Sequence, residues 1–244
     1  MSSLALKQLA ERYAAPVPRY TSYPTAPHFS EEVGPREAAA WISSLAPDTA
    51  LSLYVHIPFC RSLCWYCGCA TTVVNTPQPV AAYMTSLNSE IAHVAALLPA
   101  AHHVRHMHWG GGSPNSLSAD EIVALASRMR GLFEVDGDAE FAVEIDPRFM
   151  DAARTKAFVR AKVNRVSIGV QDFDPAVQAT INRHQPYEMT RDVISNLREA
   201  GIGSINVDLV YGLPGQTQAS VARTLALVLA LAVSYALTRH LAVM

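Results

Sequence analysis

The 244-residue sequence predicts an α/β chain, a partial (β/α) barrel of parallel strands that is incomplete at its C-terminal end. Three observations carry that expectation. Short apolar, β-branched runs recur along the chain, each closed by a polar residue or by Gly or Pro. Between them lie longer segments with helical spacing. The length also suits a single domain of this class, since complete barrels of this kind run to about 250 residues.

The elements follow in order. Residues 1–50 read as a helix, a Pro-rich extended stretch (PVPRYTSYPTAPHF) and a second helix around Pro35 to Leu45. Strands are then predicted at Ser52–Pro58, His106–Gly112, Phe141–Asp146, Arg165–Gln171 and Ile205–Gly212. Helices are predicted between them at Pro79–Leu98, Ser118–Phe133, Asp151–Ala161 and Tyr187–Gly201. Ser118 and Glu121 have capping-box spacing, and Gly201 suits the position just past a helix end. After Gln216 a fifth helix begins, but the apolar run that follows loses the strand expected next. The organisation predicted is an N-terminal extension over 1–50, the partial barrel over 51–217 and a divergent apolar tail over 218–244.

Composition excludes several classes of function. Half of the residues are hydrophobic, 16% are charged and the formal net charge is -2, so neither a disordered chain nor a nucleic-acid partner is expected. The first twenty residues lack the basic start and apolar core of a secretory signal, which points to a cytoplasmic protein. The uncharged run Thr224–Thr238 is 15 residues long, short of the roughly 20 that span a bilayer, so no membrane span is expected.

A barrel of this kind does its chemistry at the C-terminal ends of its strands, where the βα loops converge. Polar residues and glycines stand at those ends: Cys60 onward, Gly110 to Ser113, Glu144 with Asp146, Gln171, and Asp208 with Gly212.

All four cysteines fall within ten positions, at Cys60, Cys64, Cys67 and Cys69. They sit too close together to staple distant segments as disulfides would. Buried structural thiols are one reading. A structural zinc site is another, although zinc generally takes two ligand pairs separated by a longer linker. An iron–sulfur cluster explains more, because one short loop can wrap several corners of a cube. Three thiolates would leave one iron open to a small molecule.

The spacing Cys60-x-x-x-Cys64-x-x-Cys67, with an aromatic Tyr66 before the third cysteine and a strand before the first, resembles the cluster loop of the radical S-adenosylmethionine (SAM) superfamily. Further motifs narrow the resemblance: PRYTSYPTA (Pro18–Ala26), SLYVHIPFC (Ser52–Cys60), HWGGGSP (His108–Pro114), VEIDPR (Val143–Arg148), GVQDF (Gly169–Phe173), INRHQ (Ile181–Gln185) and DLVYGLPGQT (Asp208–Thr217). Together with Cys67-Gly68-Cys69 they are similar to the family of oxygen-independent coproporphyrinogen III oxidases, from about Pro18 to Thr217.

The resemblance implies a set of roles. Cys60, Cys64 and Cys67 ligate a 4Fe-4S cluster, and Cys69 is a non-ligand thiol needed for activity. Two SAM molecules are implied. Tyr54, Gly111 and Glu144 match the site of the first. Tyr66, Gly112, Ser113, Gln171, Arg183 and Asp208 match that of the second, with Ser113 standing where the family more often has Thr. Arg19 and the segment Tyr20 to Tyr23 fall where the family approaches its substrate. The implied chemistry is reductive cleavage of SAM to a 5′-deoxyadenosyl radical. That radical takes hydrogen from a propionate β-carbon, which then loses carbon dioxide and an electron to become vinyl, twice over.

The implied partners are coproporphyrinogen III and an unidentified electron donor, with a monomer expected if the chain is complete. The family's chains are close to twice this length, so the resemblance reads this one as truncated. A heme-binding chaperone relative of the same superfamily and a zinc-bound structural module are the alternatives. Cys69 and PRYTSYPTA weigh against the chaperone.

Overall fold

The computed structural model describes Gln8, residues 25–30 and residues 32–240. Arg19 and Tyr20 to Tyr23 therefore lie outside the described residues. The chain divides into two compact units, Met1–Trp41 and Ile42–Met244. The first unit shows a 3-10 turn at Ala26–His28 and the start of helix α1 (Pro35–Ser43), where the Gly34 N–H donates to Glu37 Oε2 at 2.9 Å.

The second unit alternates strands and helices. Its strands are β1 (Leu51–Ile57), β2 (Phe59–Cys60), β3 (Thr72–Val73), β4 (His103–Gly111), β5 (Glu134–Ile145), β6 (Arg165–Gln171), β7 (Ser204–Tyr211) and β8 (Tyr235–His240). The helices are α2 (Pro77–Leu97), α3 (Ala119–Leu132), α4 (Ala152–Arg160), α5 (Pro175–Thr180), α6 (Tyr187–Glu199) and α7 (Gln218–Ala230). Among the described residues, six strands form one sheet in the order β1-β4-β5-β6-β7-β8. Every neighbouring pair is parallel. Strand order following chain order, with a helix over each main crossover, is the winding of a barrel, and β1 and β8 remain its two edges.

Burial explains why these runs are strands. Along β6 buried and half-buried residues alternate without a break, with Val166, Ile168 and Val170 buried. Neighbouring strands put Trp109, Phe141, Val143 and Val207 into the same apolar core, where Trp109 meets Phe141 edge to face at 4.9 Å. The period of two places these residues on one face, which the helices cover, and leaves Tyr54, His108, Glu144, Ser167 and Asp208 on the other. The helices answer with apolar stripes, Val80, Met84, Leu87 and Ile91 on α2 being one of them.

Local signals are kept. Ser118 accepts from the Glu121 N–H while the Glu121 carboxylate accepts from the Ser118 N–H, closing the predicted capping box. Gly201 follows α6 at φ +94°, a conformation in which a Cβ is costly.

Two predictions need correction. β5 starts at Glu134, seven residues ahead of the predicted Phe141, because its polar first half pairs with the beginning of β4. The expected sixth barrel strand is not lost: Tyr235–His240 forms β8 and pairs with Asn206–Tyr211. The uncharged run had merged α7 and β8 into one apolar block. The chain turns between them at Ala232, a non-glycine residue at φ +49°, so no Gly or Pro marks the boundary.

Candidate functional site

The cysteine loop leaves the end of β1 and is pinned at both ends. β2 and β3 form a two-residue parallel pair that closes it, supported by the Thr72 N–H to Pro58 O bond at 2.6 Å and the Val74 N–H to Cys60 O bond at 2.9 Å. Within it the Cys67 N–H donates to Cys64 O at 3.0 Å, making a tight turn. A segment far along the chain holds the loop from the side. The Trp65 N–H donates to Ile181 O at 3.1 Å, and Asn182 Nδ2 donates to Leu63 O at 2.8 Å. The triple-glycine end of β4 backs it, with the Gly112 N–H on Ile57 O and the Ser113 N–H on Phe59 O, both at 2.8 Å. A Cβ on Gly112 would come within 2.7 Å of the Phe59 carbonyl oxygen, so only glycine lets the two backbones approach this closely.

None of the four cysteines is in a disulfide; Cys64 is buried, Cys60 and Cys67 are half-buried and Cys69 is exposed. Burial, then the negative charges of Cys67 and Asp146, push the Cys60 thiol up to about 11. Cys67 is lowered to about 5, chiefly by the hydrogen bond from Cys69 and then, against the cost of burial, by the Cys69 backbone and Thr71. Two guanidiniums face Cys64: Arg183 Nη1 lies 3.4 Å and Arg148 Nη2 3.5 Å from its Sγ. Asp146 joins them, taking Arg148 at 2.6 Å and Arg183 at 3.4 Å. Burial alone would raise the Asp146 carboxyl, but the charges of Arg183 and Arg148 outweigh it and hold the carboxyl below its ordinary value.

This donor set fits a thiolate-held cluster. Three cysteines stand on one short loop, and the guanidiniums of Arg148 and Arg183 face the sulfur of Cys64. Among the described residues no three His, Cys, Asp or Glu side chains converge as ligands of a single metal ion. A cube takes each thiolate on a separate iron, which suits three cysteines spaced along one loop.

The residues matched to the first SAM gather on the inner face beside the loop. Tyr54 and His108, opposed in the β1–β4 register, stack at 5.7 Å, and Tyr54 Oη is 3.1 Å from His56 Nδ1. His108 Nε2 is 3.1 Å from Glu144 Oε1. Burial, then the Glu144 charge, raises the Tyr54 hydroxyl. Gly110 and Gly111 run between these groups. A Cβ on Gly111, which has φ +109°, would strike the His56 ring at 2.6 Å, and one on Gly110 would meet the Glu144 carboxylate at 3.0 Å.

The residues matched to the second SAM are more dispersed. Ser113 is buried, donating to Asn115 Oδ1 at 2.7 Å and accepting from the Asp146 N–H at 3.1 Å. Gln171 ends β6 at φ +69°, beside a register shift. Arg183 is buried, with Nη2 on Gly169 O at 2.6 Å and Nε on Gln185 Oε1 at 3.0 Å. Tyr66 packs against Val177, Ile181 and Leu213, and burial raises its hydroxyl. Asp208 accepts from Ser167 Oγ at 3.2 Å and from Asn206 Nδ2 at 3.2 Å.

Sequence reasoning passed over His56, His108, Arg148 and Asn182. The two histidines carried a usable signal, since each lies two residues from a singled-out position on the same strand face (Tyr54, Gly110). Arg148 and Asn182 fall inside the motifs VEIDPR and INRHQ, but their contacts with the loop, which span 84 and 119 positions, are not written in local sequence.

A partial parallel barrel with a three-cysteine loop at its mouth and a glycine cradle beside it defines a class, and comparison with known proteins agrees. The chain belongs to the radical SAM superfamily, whose profile it matches over residues 54–228, and with that membership come a 4Fe-4S cluster and SAM as the cofactors of the site. The particular enzyme it resembles is the oxygen-independent coproporphyrinogen III oxidase. It is 50% identical to that of Bradyrhizobium diazoefficiens over 204 residues, 84% of this chain and 45% of the relative. It is 45% identical to that of Cereibacter sphaeroides over 231 residues, 95% of this chain and 51% of the relative. The structure of coproporphyrinogen III oxidase (HemN) from Escherichia coli, a radical SAM enzyme, superposes with a TM-score of 0.89 at 38% identity, covering 100% of this chain and 54% of the other. The chain thus spans about half the length of the relatives it matches.

Proposed function

We propose that this chain carries out the chemistry of its relatives, the SAM-dependent oxidative decarboxylation of two coproporphyrinogen III propionates to vinyl groups, giving protoporphyrinogen IX. One observation carries the reading: the Cys60, Cys64, Cys67 loop, with Cys69 beside it, sits at the barrel mouth in a chain 50% identical to such an oxidase over 84% of its length.

When bound, the cluster supplies the electron that splits SAM into methionine and a 5′-deoxyadenosyl radical. Cys60, Cys64 and Cys67 hold it. The backbone of Gly110 and Gly111, bare of Cβ, lets SAM lie against the strand end, where Glu144 can accept from an ammonium or from ribose hydroxyls. Tyr54, stacked on His108, forms the neighbouring wall. The second SAM falls to Tyr66, Gly112, Ser113, Gln171, Arg183 and Asp208. Arg183 and Ser113 would serve it by shaping backbone around the site, since their polar atoms are already engaged. The exposed Cys69 thiol acts at that second molecule. A separate donor delivers the electron, and four cysteines outside any disulfide suit the reducing cytoplasm. Among the described residues no helix is long and apolar enough to cross a membrane.

The test is anaerobic turnover: reconstituted protein, SAM, coproporphyrinogen III and a chemical reductant. Protoporphyrinogen IX formed with release of two carbon dioxide molecules supports the proposal. SAM cleavage with no change in the porphyrinogen would leave a radical SAM protein with another substrate.

A further inference from the structure

The contact between two arginines and one cysteine sulfur is more than local packing. Cys64 is buried, and both guanidiniums that face it are held in place by other partners. Arg148 donates through Nε to both oxygens of Asp146 at 3.0 and 3.1 Å and through Nη2 to Oδ2 at 2.6 Å, which fixes the plane of its fork. Its carbon Cζ also lies 5.4 Å over the Phe149 ring. The same Nη2 remains 3.5 Å from Cys64 Sγ. Arg183 is anchored on the Gly169 carbonyl and Gln185. One carboxylate between two guanidiniums leaves a net single positive charge, buried beside the sulfur.

We infer that Asp146, Arg148 and Arg183 form a cationic clamp on the Cys64 ligand that raises the reduction potential of the cluster, with Arg148 as a positioning residue rather than a catalytic one. Reduction adds one negative charge to the cluster and its thiolates. A buried positive charge and N–H donors at a ligand sulfur stabilise that more negative state, and hydrogen bonds to the sulfurs are among the levers by which proteins set such potentials. Burial keeps water and salt from screening the effect. Arginine suits the task because a planar fork can grip both carboxylate oxygens and still present a donor to the sulfur, which a lysine ammonium cannot do with one fixed geometry. The inference rests on the proposed ligand assignment of Cys60, Cys64 and Cys67.

The experiment compares the wild-type chain, Arg148→Gln and Asp146→Asn after anaerobic reconstitution. Iron and sulfide are measured first, and the midpoint potential follows from a redox titration monitored by electron paramagnetic resonance without SAM. Arg148→Gln is expected to lower the midpoint so that, at the wild-type midpoint, the oxidised-to-reduced ratio rises about tenfold, a shift of about 59 mV for a one-electron couple. Asp146→Asn, which removes the negative charge, is expected to move it the other way. A wild-type midpoint in fully loaded Arg148→Gln overturns the clamp. Should Arg148→Gln take up no cluster, Asp146→Asn decides: an upward shift supports the clamp, and an unchanged or lower midpoint overturns it. A wild-type chain that binds neither iron nor sulfide overturns the ligand assignment itself, a separate and recognisable failure.

Discussion

Arg183 and Cys64, 119 positions apart in the chain, meet with Nη1 at 3.4 Å from Sγ. That contact ties the segment Ile181–Gln185, between α5 and α6, to the cysteine loop, and the Trp65 N–H to Ile181 O bond reinforces it. These contacts hold the loop from outside itself, which suits a site that must orient a reactive group.

The proposed roles of the thiols, three ligands and one non-ligand, are separable by mutation. Replacing Cys60, Cys64 or Cys67 singly by Ala is expected to abolish cluster uptake. Replacing Cys69 by Ser is expected to leave iron and sulfide content unchanged while turnover is lost. Metal and sulfide analysis beside a turnover assay checks both halves.

Gly111→Ala places a methyl 2.6 Å from the His56 ring at φ +109°. The strained backbone alone costs about 1–3 kcal/mol. The variant is expected to bind the cluster, since no thiol moves, and to lose SAM affinity at least tenfold. Equilibrium binding of SAM to the reconstituted protein, with a urea melt as control, reads the two effects separately.

Asp146 sets an acid limit on stability. Its folded carboxyl lies below the unfolded value of about 3.9, so its ion pairs stabilise fully above that value, and the stabilisation is lost as pH falls through the folded value. Asp146→Asn leaves the buried Arg183 and the half-buried Arg148 without their carboxylate, a change that costs about 3 kcal/mol at pH 7. Urea unfolding of the variant and the wild type is expected to show that gap at pH 7 and to show it closing below about pH 4.

Phe158 on α4 is fully buried in the main apolar core. Truncation to Ala is expected to cost about 3–5 kcal/mol, lost transfer energy plus a cavity that the packed helix and sheet cannot close. Chemical denaturation of the metal-free chain measures it.

The barrel was legible because strands such as β1 and β6 alternate more and less buried residues. Ser-Leu-Tyr-Val-His-Ile at β1 and Arg-Val-Ser-Ile-Gly-Val-Gln at β6 write that alternation into local sequence. The β8 strand was not legible, since Thr224–Thr238 carries no charge and the turn at Ala232 uses a non-glycine residue. The two-residue strands β2 and β3 are too short to leave a periodic trace. At the site, the cysteine spacing and the triple glycine are local features and stood out. Arg148 and Arg183 each stand in a quoted motif, but their approach to Cys64 brings together three separate segments, and no single motif spans them.

The central claim is that this loop carries a 4Fe-4S cluster with one iron open to SAM. The most direct measurement is electron paramagnetic resonance of the anaerobically reconstituted, reduced chain with and without SAM. A 4Fe-4S signal that changes when SAM is added is the predicted result. A chain that takes up no cluster, or one whose signal is indifferent to SAM, would contradict it.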